Sequence, residues 1–475
     1  MTQSAKALLS IVLIAAAATA GRGQAPAPVS AVQSLQTPAP QKPPPASPAK
    51  SAPPNPQTQP PPATAPLSLN EATRAALAQA SAFQQAQLSE QLAAEDVRQA
   101  RAAFLPRLAA PSTFIYTSPS TGLPLGAARQ AGFIAANAIS EYESLIGVSG
   151  ELDLAGRLRA TLRRNRALLE AAHSGTEVAR RALIQATAEA YYGLALAASR
   201  RRSSELSLSA AEEFERITGL LASGGEVAQV DLVRARLQTA ARRDELEQAR
   251  AGESAAAEAL RVFLGADYSV SIVVADLAAV QPEAAEVERY AREGIARRPE
   301  LAQFEAEGRA AEAEITIARA ERRPQVTYNV AGGFDTDSLK ADPLRQHAGA
   351  TATVSLTIPI FDWGVSRSRE RQAQLRLQSL ESSRRLALRG FAQEFYTARA
   401  LALSAVSRVR LLAAAQPEAE RNVTLSIARY RAGEAPIIEV TDAQNTLAAQ
   451  RAAYSQALFD YQVALTRLKQ ATGSQ

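Results

Sequence analysis

Four short stretches of two-residue alternation interrupt a chain that otherwise reads as helix. Ala350, Ala352, Val354, Leu356, Ile358 and Ile360 alternate with Thr351, Thr353, Ser355, Thr357 and Pro359. Ile146, Val148, Leu152 and Leu154 alternate with Gly147, Ser149, Glu151 and Asp153, and Val326, Tyr328 and Val330 alternate with Thr327 and Asn329. A shorter, noisier run occupies Ser112–Thr117. Successive strand side chains point to opposite faces, so this pattern predicts strands at about 112–119, 142–154, 325–333 and 348–360. Such lengths suit tilted strands crossing a bilayer, although a half-buried soluble sheet alternates in the same way. The polar stretches Ser118–Gly132 and Gly333–His347 read as the loops within each strand pair. Phe361 and Trp363 follow the fourth strand, a fitting place for interfacial aromatics.

From Leu67 onward the rest is rich in Ala, Leu, Arg, Glu and Gln. Leu158 to Ala222 contains no proline, and as one helix it would extend about 98 Å. Long helices of this kind pack as coiled coils, where alanines let backbones approach closely.

The chain is duplicated. An offset of 208 places Gly225 on Gly433 and runs without a gap to Gly265 on Gly473; it also places Gly156 on Gly364. An offset of 218 places Leu77 on Ile295 and Pro106 on Pro324. Each half therefore reads helix, strand, loop, strand, very long helix, glycine turn, helix. The expected organisation is a first repeat over 67–265, a linker over 266–282 and a second repeat over 283–475. Four strands are too few to close a barrel, and open sheet edges are forbidden in lipid. Such a protomer must oligomerise, and three copies would supply twelve strands.

The first twenty residues have the layout of a secretory signal: Lys6, an apolar run from Ala7 to Ala17, then Ala18-Thr19-Ala20. Fifteen of the 26 prolines fall between Ala25 and Pro66, so residues 21–66 are expected to be a disordered, extended tether. That segment serves as a spacer or as a ligand for a partner. With no Cys and only His173 and His347 as histidines, the chain has no disulfide and little basis for a metal site or a catalytic triad. The net charge of +5 is spread among nearly equal acids and bases, and aromatics at 5% are too sparse for base stacking. No catalytic constellation, metal or cofactor site is expected, and no nucleic-acid partner.

Several segments resemble the TolC-like trimeric outer-membrane efflux channels. They are Leu67-Ser68-Leu69-Asn70-Glu71-Ala72, Phe104-Leu105-Pro106, Arg322-Arg323-Pro324, Glu151-Leu152-Asp153-Leu154-Ala155-Gly156-Arg157 and Ile358-Pro359-Ile360-Phe361-Asp362-Trp363-Gly364. The tip segments Gly225–Leu237 and Arg431–Ala443 complete a match covering about Leu67 to Gly473. The resemblance implies a mainly helical homotrimer, with a twelve-stranded β-barrel in the outer membrane of a Gram-negative bacterium and a helical tunnel in the periplasm. It implies an inner-membrane pump and a periplasmic adaptor as partners, outer-membrane lipid around the barrel, and passive conduction of small molecules such as drugs, toxic compounds or metals. It marks Gly225 and Gly433 as adaptor-contacting tips. It also marks Glu439 and Asp442, with Asp231 at the position equivalent to Glu439, as a gate closed at rest. Carboxylates repeated around a three-fold axis form a negative ring that favours cations; a solvated helix face is the alternative. Many such channels carry an acylated cysteine, which is lacking here, so anchoring rests on the barrel.

Pro417 is expected to kink or end the second long helix, or to bend it along the tunnel. Tyr191-Tyr192 reads as packing, the two histidines as solvated or packed side chains, and Arg163-Arg164 and Arg200-Arg201-Arg202 as solvated faces able to pair with neighbouring acids. Two alternatives remain at this level. One keeps the fold but serves a type I protein secretion system; the other is a periplasmic coiled-coil structural protein without a channel.

Overall fold

A computed structural model describes residues 66–79, 81–116, 140–268, 271–279, 281–337 and 339–473. The expected signal peptide, the expected tether up to residue 65, the end of the first expected strand and the expected loop at 118–132 lie outside these residues.

The chain forms α1 (Leu69–Ala78), α2 (Ala82–Ala102), β1 (Arg107–Ala109), β2 (Ser112–Tyr116), β3 (Ser140–Leu152), α3 (Arg157–Ser223) and α4 (Gln229–Leu264). It continues through α5 (Ala284–Glu288), α6 (Pro299–Ala320), β4 (Gln325–Thr336), α7 (Ala341–Gln346), β5 (Ala348–Thr357), α8 (Val365–Arg431) and α9 (Ile437–Ala471). Helices α3 and α8 are each 67 residues long and begin 208 positions apart, as do α4 and α9.

Helix α8 runs unbroken through Pro417, so the expected termination there does not occur. One lost backbone donor is outweighed by packing on both sides, where Val406 and Val409 precede the proline and Ala419 follows it in the core. Near its start α3 packs on α2, where the Asn165 amide donates to the Asp96 carbonyl at 3.0 Å and His173 meets Glu90 at 2.9 Å. Further along it packs on α4, where Arg201 reaches Glu253, and on α9, where Ser199 meets Ser455. Helix α8 packs on α6 and then on α9. Arg369–Glu321, Arg376–Glu314 and Arg384–Glu305 pairs rung the α6–α8 seam. The side-by-side order is thus α2–α3–α6–α8 near the sheet and α4–α3–α9–α8 farther away. In both layers α8 is one outer helix. The alanines Ala188, Ala195, Ala402, Ala405, Ala457 and Ala464 are buried at these seams, which brings the backbones close.

At mid-length the segments outside the bundle are pinned to it. Leu67 bridges Val274, and the buried Tyr191 hydroxyl donates to the Leu67 carbonyl at 2.8 Å while accepting from the Ala275 N–H at 3.2 Å. Its ring stands edge-on to Tyr192, 5.5 Å away, so the pair does pack. Within the arginine run, Arg200 donates to Gln456, Arg201 pairs with Glu253 and Glu205, and Arg202 pairs with Asp276.

The strands form one antiparallel sheet in the order β1/β2, β3, β4, β5. The first expected strand begins at Ser112 as β2, and a further piece that the alternation did not mark, β1, precedes it; both pair with β3 and are separated at Ala110-Pro111. Proline lacks the N–H that a continuous ladder would need. The second strand ends at Leu152, before the expected 154, because Asp153 turns away to cap α3. The third runs on to Thr336, past the expected 333 and into the expected loop; a Cβ at Gly333 would stand 2.0 Å from the Ser144 carbonyl, so only glycine allows this approach. The remainder of that expected loop holds α7. The fourth strand stops at Thr357, ahead of Pro359.

Candidate gate and membrane-facing surfaces

The register sorts the sheet into two chemically distinct faces. Val148, Val330 and Ala352 lie side by side, as do Leu152, Val326 and Leu356. Toward the far end of the same face come Tyr142, Phe114 and Phe334, with the Phe114 and Tyr142 ring centroids 5.0 Å apart. Just beyond the near end, Phe361 and Trp363 form an edge-on pair at 4.8 Å, and Trp363 is 89% exposed. An apolar band between two sets of aromatics matches the profile of a lipid bilayer. The other face carries Ser149, Asn329 and Thr353, then Glu151, Thr327 and Ser355, and lines a concavity of about 790 Å³. Among the described residues no helix is long and apolar enough to cross a membrane.

The strand–helix junctions are built alike. Pro106 and Pro324 directly precede β1 and β4, and Gly156 and Gly364 open α3 and α8 with φ of 81° and 86°. The caps differ. Asp153 accepts the N–H groups of Leu158 and Arg159 at 2.9 and 3.0 Å, whereas Asp362 accepts those of Gly364 and Ser366 at 3.1 and 2.8 Å. The hydroxyl and N–H of Ser366, with the Gly364 N–H, hold the Asp362 carboxyl below the usual range. Trp363 has a left-handed φ of 54°, a strained state for a bulky side chain.

At the opposite end of the helices lie the two hairpin turns. Gly225 and Gly433 have φ of 77° and 73°, and each is followed by a glutamate whose N–H reaches a carbonyl five residues back. Left-handed glycines followed by such bonds are Schellman-type helix ends. Phe214, Ala235, Tyr430, Ile437 and Val440 share one core that joins the two hairpins. The amide of Asn445 accepts from Gln238 at 3.1 Å and from Arg242, tying α9 to α4.

The three candidate gate carboxylates have different surroundings. Glu439 pairs with Arg429 across its own turn at 2.5 Å, and Asp231 is half-buried with Arg234 at 3.9 Å. Asp442 is exposed and makes no ion pair among the described residues. Arg429 was not singled out in the sequence, although a base in the last turn of a helix facing an acid ten residues later was the available signal. Among the described residues no group of acids and histidines could hold a metal ion.

The outer membrane efflux protein profile matches residues 72–266 and 291–474, so the chain belongs to the outer membrane efflux protein family. It is 25% identical over 372 residues to the pyoverdine export outer membrane protein OpmQ of Pseudomonas aeruginosa, covering 75% of this chain and 76% of that one. Its fold matches that of CusC with a TM-score of 0.75 at 19% identity, over 85% of this chain and 91% of that chain. It matches the Campylobacter jejuni CmeC outer membrane channel with a TM-score of 0.73 at 17% identity, over 86% and 85%. The protein is thus a TolC-like outer-membrane channel component with a large helical periplasmic portion, and not an enzyme.

Proposed function

We propose that three copies of this chain form a passive exit duct, the outer-membrane member of a pump–adaptor–channel export system. One observation carries this reading: the apolar-banded sheet ends in two unpaired edges, β1/β2 and β5, and every residue of those strands is exposed. Pairing β5 of one copy with β1/β2 of the next removes every edge and gives twelve strands, which lipid demands. Residues 67–265 and 283–475 act as two repeats joined by 266–282, behind a cleaved signal at 1–20 and a tether at 21–66. The hairpin ends at Gly225 and Gly433 meet the adaptor, and Asp442, Glu439 and Asp231 line a gate closed at rest. The client is a small molecule, in keeping with the relative named for pyoverdine export.

The test is planar-bilayer conductance of the detergent-extracted protein, with its mass measured on the same sample. A trimer with small cation-preferring currents that grow in Glu439→Ala/Asp442→Ala is expected. A monomer without current would overturn the duct, and unchanged conductance of a folded double variant would remove the gate.

A further inference from the structure

Helix α8 is the outer helix of the protomer at both levels, and it carries more basic charge than its own neighbours neutralise. Arg399, Arg410 and Arg421 recur every eleven residues, three turns, and so share one face. They border the buried stripe, since Phe395, Ala402 and Val406 stand three or four residues from Arg399 or Arg410; Arg399 is half-buried there, while Arg410 and Arg421 are exposed. None of the three arginines makes an ion pair among the described residues, whereas Arg408 reaches Asp460 at 2.8 Å.

The opposite outer helix of the same layer, α4, has the complementary pattern. Its buried side, with Thr239, Leu246 and Leu260, packs on α3. Away from that side Glu247 and Glu258 are also eleven residues apart, and among the described residues they are paired only with Arg250 and Arg261 of their own helix. The register matches as well. Arg399 lies 34 residues before Gly433 and Glu258 33 after Gly225; Arg410 lies 23 before and Glu247 22 after. Distance from the tip is a sound guide to contact here. Gln238 and Asn445, 13 and 12 residues from their glycines, are bonded at 3.1 Å, and the paired Arg408 and Asp460 lie 25 and 27 residues from Gly433.

We infer that α8 of each protomer docks on α4 of a second copy of this chain through an ionic seam pairing Arg399 with Glu258 and Arg410 with Glu247. The inference rests on the trimeric reading. It assigns the helical part of the subunit contact a charge register of its own, separate from strand pairing in the barrel. Isolated surface pairs are weak, but six such pairs around a ring act together.

The chain contains no cysteine, so thiol chemistry reports the seam without background. Arg410→Cys/Glu247→Cys in the full-length, membrane-extracted protein, treated with a short bismaleimide, is expected to give covalent dimers and trimers. Neither single variant, nor the control Arg408→Cys/Glu247→Cys, should do so. Separately, Arg399→Glu/Arg410→Glu should shorten the lifetime of the trimer in detergent at high temperature by roughly tenfold, and adding Glu247→Arg/Glu258→Arg should restore it. A trimer with no 410–247 crosslink, equal crosslinking of the control, or charge reversal without effect on lifetime would overturn the seam and leave the trimer standing. A wild-type protein with the mass of one chain would overturn the trimeric reading itself.

Discussion

Arg429 and Glu439 face each other at 2.5 Å across the turn at Gly433, so the second hairpin neutralises one of its own candidate gate charges. Removing the base should expose the acid. Arg429→Ala is expected to raise the cation-to-anion permeability ratio by roughly twofold, and Arg429→Ala/Glu439→Ala to return it to the wild-type value. Reversal potentials across a salt gradient read this directly. No change in Arg429→Ala would mean that this hairpin does not face the conducting path.

Gly156 and Gly364 should resist substitution for a purely conformational reason. A Cβ at either would meet nothing within 4 Å, yet their φ values of 81° and 86° are costly for other residues. Alanine at either position should destabilise by about 1–2 kcal/mol. Gly308→Ala, in open space inside α6, should instead stabilise by about 0.5–1 kcal/mol. Denaturant midpoints of the extracted protein distinguish the two signs.

Acid should loosen the helices through Glu177. The bonds it accepts from Arg180 and Arg181 overcome partial burial and hold its carboxyl at about 2, against an ordinary value of 4.5. A folded-state value below the unfolded one contributes stability that is present above about 4.5 and lost as pH falls toward 2. Glu177→Gln should therefore be less stable than wild type at neutral pH and show a shallower stability loss across that window. Parallel curves for the two proteins would rule out this contribution.

Trp363 is the sole tryptophan, so intrinsic tryptophan emission reports one place on the molecule. In reconstituted membranes, lipids brominated near the headgroup should quench it several-fold more than lipids brominated at the chain ends, as expected for an interfacial ring. Equal quenching by a soluble agent with and without lipid would place it away from the membrane.

Much of this architecture was written in spacing. The gapless 208-residue offset anticipated two long helices of equal length, and alternation at Val326, Tyr328 and Val330 marked a face that the register then extended across three strands. What escaped was chemistry whose signal points two ways. Gly333 reads as a turn residue but serves a strand, because glycine answers both to positive φ and to a crowded backbone. Asp153 reads as the polar end of an alternating strand, yet its carboxylate caps the helix. Of the proposed gate, the acids were named through the resemblance and the base beside Glu439 was not, since Arg429 meets Glu439 only once the turn folds back.

The equal length of α3 and α8 also makes them levers. Each spans about 100 Å from its N-terminal glycine to its hairpin turn. A rigid rod of that length tilting by about 3° displaces its far end by roughly 5 Å, the rise of one helical turn. Motion at the tip therefore requires little disturbance at the root: the caps at Asp153 and Asp362 could hold while the far ends moved apart.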